Sequence, residues 1–117
     1  MNVVNRAIAV AKPKQLYVDW TKRIALEPNE PYYETLEEAR RDCTAFLFPE
    51  VVFDADFARL LRRYASEIFE QQLHHWDERD ELWPKQRNYK TLLEWFDIET
   101  SSVVVDLDKK PLARKDY

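Results

Sequence analysis

The sequence predicts a small α/β or α+β domain of about three strands packed with about four helices, and three observations carry that expectation. Val3 to Ala11 and Thr44 to Phe48 are short runs of mostly apolar or β-branched residues, separated by segments of helical period. A third run, Ser102 to Leu107, repeats the pattern after the last helical segment. The chain has 117 residues and 45 % hydrophobic content, which suits one core and leaves no room for two ordinary domains.

Each element has a local reason. Val3 to Ala11 reads as a buried strand. Pro13 suits a first helical position, and Leu16, Tyr17, Trp20 and Ile24 then fall on one apolar helix face. The segment Glu27-Pro28-Asn29-Glu30-Pro31 ends that helix, because proline removes a backbone donor and clashes with the preceding turn. Thr35 with Glu38 forms a capping-box pattern for a brief helix through Asp42. Thr44 to Phe48 is the second strand, stopped by Pro49.

The longest helix opens at Asp54, an N-cap residue type, and runs to about Asp77. Phe57, Leu61, Tyr64 and Ile68 share one stripe, with Arg59, Arg63, Glu67 and Glu70 on the other side. Trp83-Pro84 breaks the chain, and Asn88 caps a fourth helix with Tyr89, Leu92, Leu93 and Phe96 in period. Ser102 to Leu107 reads as a fully buried third strand. Residues 1–108 are expected to form the domain and 109–117, KKPLARKDY, a loose tail. The connections permit parallel pairing without requiring it.

Composition excludes more than it assigns. There is no glycine, where average usage of about 7 % would give roughly eight residues. Phosphate-cradling loops, the dinucleotide fingerprint, the nucleophile elbow and the EF-hand turn all need glycine where a side chain would clash or φ is positive. Turns must rely on Asn, Asp, Ser and Pro. The net charge of −4 gives no reason to expect binding driven by nucleic-acid phosphates. Arg40, Arg41, Arg59, Arg62 and Arg63 read as members of solvated, ion-paired faces. A single cysteine, Cys43, rules out an internal disulfide and a cysteine-based zinc cage, and its place favours a small buried hydrophobe over a nucleophile. The N-terminal run lacks secretory-signal features, and no segment has the ~20 apolar residues of a membrane span. A cytoplasmic protein without membrane contact is expected.

Chemistry-bearing residues are sparse. His74 with Asp77 or Glu78 shares a helix face, but two ligands hold a metal weakly, and His75 extrapolates onto the apolar stripe. No metal or cofactor is therefore assigned. Asp106-Leu107-Asp108 after a valine run is similar to the nucleophile motif of haloacid-dehalogenase-type phosphatases. That motif opens its family's chains ahead of a large domain, whereas nine residues follow it here. Strand-end turns are the expected role of these aspartates.

The segment from Leu82 to Asp97 is dense in aromatic residues with polar handles, the composition of interaction hot spots. Within it Leu92, Leu93 and Phe96 are assigned to the core. Trp83, Arg87, Glu94 and Trp95 are the candidate binding residues, with Arg87 stacking on an aromatic ring or pairing with Glu94.

Asn5-Arg6-Ala7, Asp42 through Glu50, and Leu82-Trp83-Pro84 through Glu94-Trp95-Phe96-Asp97 together resemble a family of small uncharacterised bacterial proteins. The resemblance spans most of the chain. It implies a compact bacterial cytosolic domain and brings no activity, cofactor or site residue with it. The expected function is a non-enzymatic interaction domain that contacts a protein partner or its own copy. The alternative is a small enzyme or ligand-binding domain using Asp106, Asp108, Glu94 and His75.

Overall fold

The computed structural model describes residues 2–116. Three strands form one antiparallel sheet: β1 (Arg6–Pro13) at the centre, flanked by β2 (Thr44–Pro49) and β3 (Phe96–Ser101). The helices are α1 (Gln15–Ile24), α2 (Leu36–Ala39), α3 (Ala55–Trp76) and α4 (Tyr89–Trp95), with a short 3-10 turn at Asp80–Leu82. The architecture is therefore α+β.

The sheet is covered on one side. Ala7, Ala9, Ala11 and Pro13 of β1 are buried, alternating with half-buried Arg6, Ile8, Val10 and Lys12. Register places Phe46 and Phe48 of β2 and Phe96 and Ile98 of β3 on the alanine face. Tyr17 of α1 and Phe69 of α3 meet the Phe96 ring there at 5.0 and 5.9 Å. Tyr64 of α3 lies 5.6 Å from Phe48. Three alanines in a row on one face leave the depth that these rings fill, since facing core positions must alternate large and small.

Helix ends follow the expected chemistry in part. The Thr35 hydroxyl accepts the Glu38 N–H at 3.1 Å, but α2 stops at Ala39 and continues as turns. Asn88 and Thr91 form a reciprocal capping box at α4. Asp54 holds the N-cap position of α3 without a side-chain capping bond. Pro13 ends β1 instead of opening α1, whose N-cap is Lys14. Among the described residues none has a positive φ, which agrees with a chain that lacks glycine.

The third strand departs from expectation. Phe96–Ser101, not Ser102 to Leu107, pairs with β1, from Pro13↔Phe96 to Ile8↔Ser101. Val103, Val105 and Leu107 are exposed. The valine run still meets the N-terminal segment, through Val4 N–H donating to the Val104 carbonyl and Asp106 N–H to the Asn2 carbonyl, both 2.9 Å. It is an extension of the β1–β3 pairing at the sheet's end, and of its side chains only Val104 and Asp106 are half-buried. Phe96, expected on α4, opens β3 and is fully buried. Leu93, expected in the core, is 36 % exposed on the outer side of α4.

Candidate interaction surface

The Trp83–Arg87 segment is fastened to the end and side of α3. Asp77 closes α3 and receives the Arg79 guanidinium at 2.6 and 2.9 Å, while Arg79 also reaches Glu30 at 2.8 Å. This pair of contacts clamps the loop after α1 to the loop after α3. The Arg79 hydrogen bonds hold the Asp77 carboxyl below the usual carboxylate range, as the backbone amides of Glu27 and then Leu26, with Arg79 behind them, do for Glu30. The Trp83 indole N–H donates to the Asp77 carbonyl at 2.8 Å, and Trp20 donates to Leu82 at 2.9 Å.

Arg87 lies 5.9 Å from the centre of the Trp83 ring, bonds the Pro84 carbonyl at 2.9 Å and pairs with Glu70 at 3.1 Å. The expected stacking is present, but the ion-pair partner is Glu70 of α3 and not Glu94. Ser66 donates to the Arg87 carbonyl at 2.8 Å and completes the attachment. Glu94 is exposed on α4 and makes no side-chain hydrogen bond among the described residues. The four candidate binding residues are thus not one surface.

Trp95 requires a correction. It is 8 % exposed, with its ring 5.3 Å from Phe69 and 6.1 Å from Trp20. The α4 helix ends at Trp95 and β3 begins at the next residue, so its side chain is committed to the core between sheet and helices. Trp83 is half-buried and borders a groove.

That groove, of about 1510 Å³, runs between β2 and α3. Tyr64, Glu67, Ile68, Gln71 and His74 line its helix side at spacings of three and four residues, one flank of a 3.6-residue period, and Glu78 joins them just past the helix end. His75 also borders it and is exposed, because the buried stripe turns toward Phe69, Leu73 and Trp76 near the helix end. The groove was not visible from sequence, since it exists only because β2 is an edge strand.

The other sheet face carries Ile8, Val10 and Lys12 of β1, Ala45 and Leu47 of β2, and Asp97 and Glu99 of β3. Leu47 is 52 % exposed. Lys12 pairs with Glu99 at 2.9 Å and Arg40 with Asp97 at 3.1 Å, and with Arg6 at the opposite end these charges flank the aliphatic middle of the face.

The alternative catalytic set does not assemble around this groove: of Asp106, Asp108, Glu94 and His75, only His75 borders it. Asp106 and Asp108 form successive Asx turns, accepting the Asp108 and Lys110 amides at 2.9 and 3.1 Å. Among the described residues no three His, Cys, Asp or Glu side chains group as metal ligands. Cys43 is exposed, correcting the expectation of burial. It lies in the coil between α2 and β2, where its Sγ reaches the Arg40 carbonyl at 3.0 Å. The arginines of α3 are exposed; Arg59 pairs with Asp56, while Arg62 lies over the Tyr89 ring and Arg63 over Tyr64, with neither paired to Glu67 or Glu70. No described helix is long and apolar enough to cross a membrane.

Compared with protein-family models, curated proteins and solved structures, the chain matches none.

Proposed function

We propose that this chain is a non-enzymatic interaction domain of the bacterial cytosol that self-associates through its uncovered sheet face. The observation that carries this reading is an inversion of side-chain size across β1. Alanines face the helices, while Ile8 and Val10 face outward beside the half-exposed Leu47. A sheet face that met only water would ordinarily hold polar residues at those positions. Two copies meeting face to face would bury the aliphatic patch at the ordinary ~10 Å sheet separation and set charged ends around it. An isologous contact of this kind needs only one patch that complements itself.

Light scattering on a sizing column over a hundredfold concentration range tests it. The expected result is a dimer that the Leu47→Lys and Val10→Lys variants convert to monomer while retaining the native circular-dichroism spectrum. A native chain that stays monomeric throughout the range refutes the reading.

A further inference from the structure

We propose that the groove between β2 and α3 is the docking site for an extended basic segment of a partner protein, which adds to β2 as a fourth strand. The proposal rests on the interaction-domain reading for its class but uses the edge and helix side of β2, adjoining the sheet-face contact at Ala45 and Leu47. Three observations carry it. First, β2 is a free edge. Its residues form the ladder with β1, and among the described residues no backbone hydrogen bond joins Thr44–Pro49 to anything else. A six-residue edge of about 20 Å with unpaired N–H and C=O groups is a template for an added strand.

Second, the trough beside that edge has the size and lining for a peptide. Its volume of about 1510 Å³ exceeds the ~300–1,000 Å³ typical of small-molecule sites. The half-buried rings of Phe46 and Tyr64 supply apolar contact over the buried Phe48 and Ile68, and Glu67 and Glu78 on the far side are exposed carboxylates with no ion-pair partner among the described residues. An added strand places alternate side chains toward this trough, so pockets select every second residue.

Third, the chain brings its own basic segment to the same place. The exposed stretch Lys109-Lys110-Pro111-Leu112-Ala113-Arg114-Lys115 brings Arg114 and Lys115 to the groove's rim, followed there by the single acidic Asp116. Neither cation makes a salt bridge among the described residues. Two cationic side chains at the rim of a groove that also carries two unpaired carboxylates match the charge a basic segment would bring. Pro111 is compatible with such a role, because in a new edge strand its missing N–H faces solvent. The tail therefore competes in cis with a basic partner segment.

The probe is a fluorescein-labelled peptide with the sequence of residues 109–117, titrated into the full chain and read by fluorescence anisotropy. Expected are binding that weakens as salt rises and no binding of a control peptide whose lysines and arginine are glutamates. The Glu67→Lys/Glu78→Lys variant, altered only at exposed side chains, should bind about tenfold more weakly. The Arg114→Glu/Lys115→Glu variant should bind the peptide more tightly, having lost the competitor.

Equal binding of the control peptide, or no change on reversing Glu67 and Glu78 in a chain with native melting, overturns the proposal. Self-association abolished by Arg114→Glu/Lys115→Glu would make the tail of a second copy the occupant and overturn the assignment to a separate partner. Failure is separable from that of the sheet-face dimer. A dimer indifferent to the peptide removes only the groove, and a monomer that binds it removes only the dimer.

Discussion

The two tryptophans that composition groups together are separated by substitution. Trp95→Ala empties a site that is 8 % exposed and ringed by Phe69 and Trp20. A tryptophan side chain buries about 200 Å², worth roughly 5 kcal/mol at about 25 cal/mol per Å² as an upper estimate. Each aromatic contact adds about 0.5–1.5 kcal/mol, and partial collapse of the site recovers some of the total. A loss of about 3–5 kcal/mol is expected, against a total stability of roughly 5–15 kcal/mol. At about 4 °C per kcal/mol, the melting temperature falls by roughly 12–20 °C.

Trp83→Ala removes a half-buried ring, one hydrogen bond to the Asp77 carbonyl and the platform under Arg87. It should cost about 1–2 kcal/mol and leave the melting transition cooperative. Urea denaturation followed by far-UV circular dichroism measures both without depending on the altered fluorophores. The core assignment is refuted if Trp95→Ala costs less than about 1.5 kcal/mol, or if Trp83→Ala proves the more damaging of the two.

Two pH limbs follow from the buried and clamped groups. Tyr17 and Tyr33 hold their phenol protons well above the ordinary value, chiefly through burial and, for Tyr33, through its 2.7 Å hydrogen bond to Asp42. Raised folded-state values make the stability they contribute complete below pH about 10 and lost as pH rises above it. Urea midpoints between about pH 9 and 11.5 should decline, and Tyr17→Phe/Tyr33→Phe should flatten that decline; an unchanged slope contradicts the assignment. At the acid end, Asp77 and Glu30 have depressed values, so their contribution is complete above pH about 4 and disappears as pH falls below it. Arg79→Gln should shrink this acid limb and speed amide exchange in residues 27–31. Exchange and acid sensitivity equal to those of the native chain would show that the clamp does not hold the loop.

The helices were legible because their signals are local. Asn88 caps α4 through its own side chain, and the spacing of Tyr17, Trp20 and Ile24 places all three in the core whatever lies opposite. The third strand was not, because two local signals competed for the same residues. Phe96 continues the helical period of Tyr89 and Leu92, and Val103-Val104-Val105 has stronger β propensity than Phe-Asp-Ile-Glu-Thr-Ser. The weaker segment forms the strand because its alternation suits a sheet covered on one face: Phe96 and Ile98 turn inward, Asp97 and Glu99 outward. An unbroken valine run suits a sheet covered on both faces, and this chain's helices cover one. Trp95 was misplaced for a related reason, since only the strand that follows it fixes which way the last helical turn faces.

The same rule leaves β1 as the exception. Arg6, Ile8, Val10 and Lys12 occupy the outward positions, and in a one-sided sheet all four should be as polar as Asp97 and Glu99 on the neighbouring strand. The two at its ends are charged, and the two at its middle are large aliphatics. Leu47 stands directly opposite Ile8, and Ala45 opposite Val10, so the anomaly is a contiguous patch and not a scattered residue. Reversing the sheet to bury Ile8 and Val10 would bring Lys12 and Arg6 under the helices, a desolvation cost that two aliphatic side chains do not offset. The outward placement is therefore the stable one for a single chain, and its remaining exposed apolar area is what a second copy would remove.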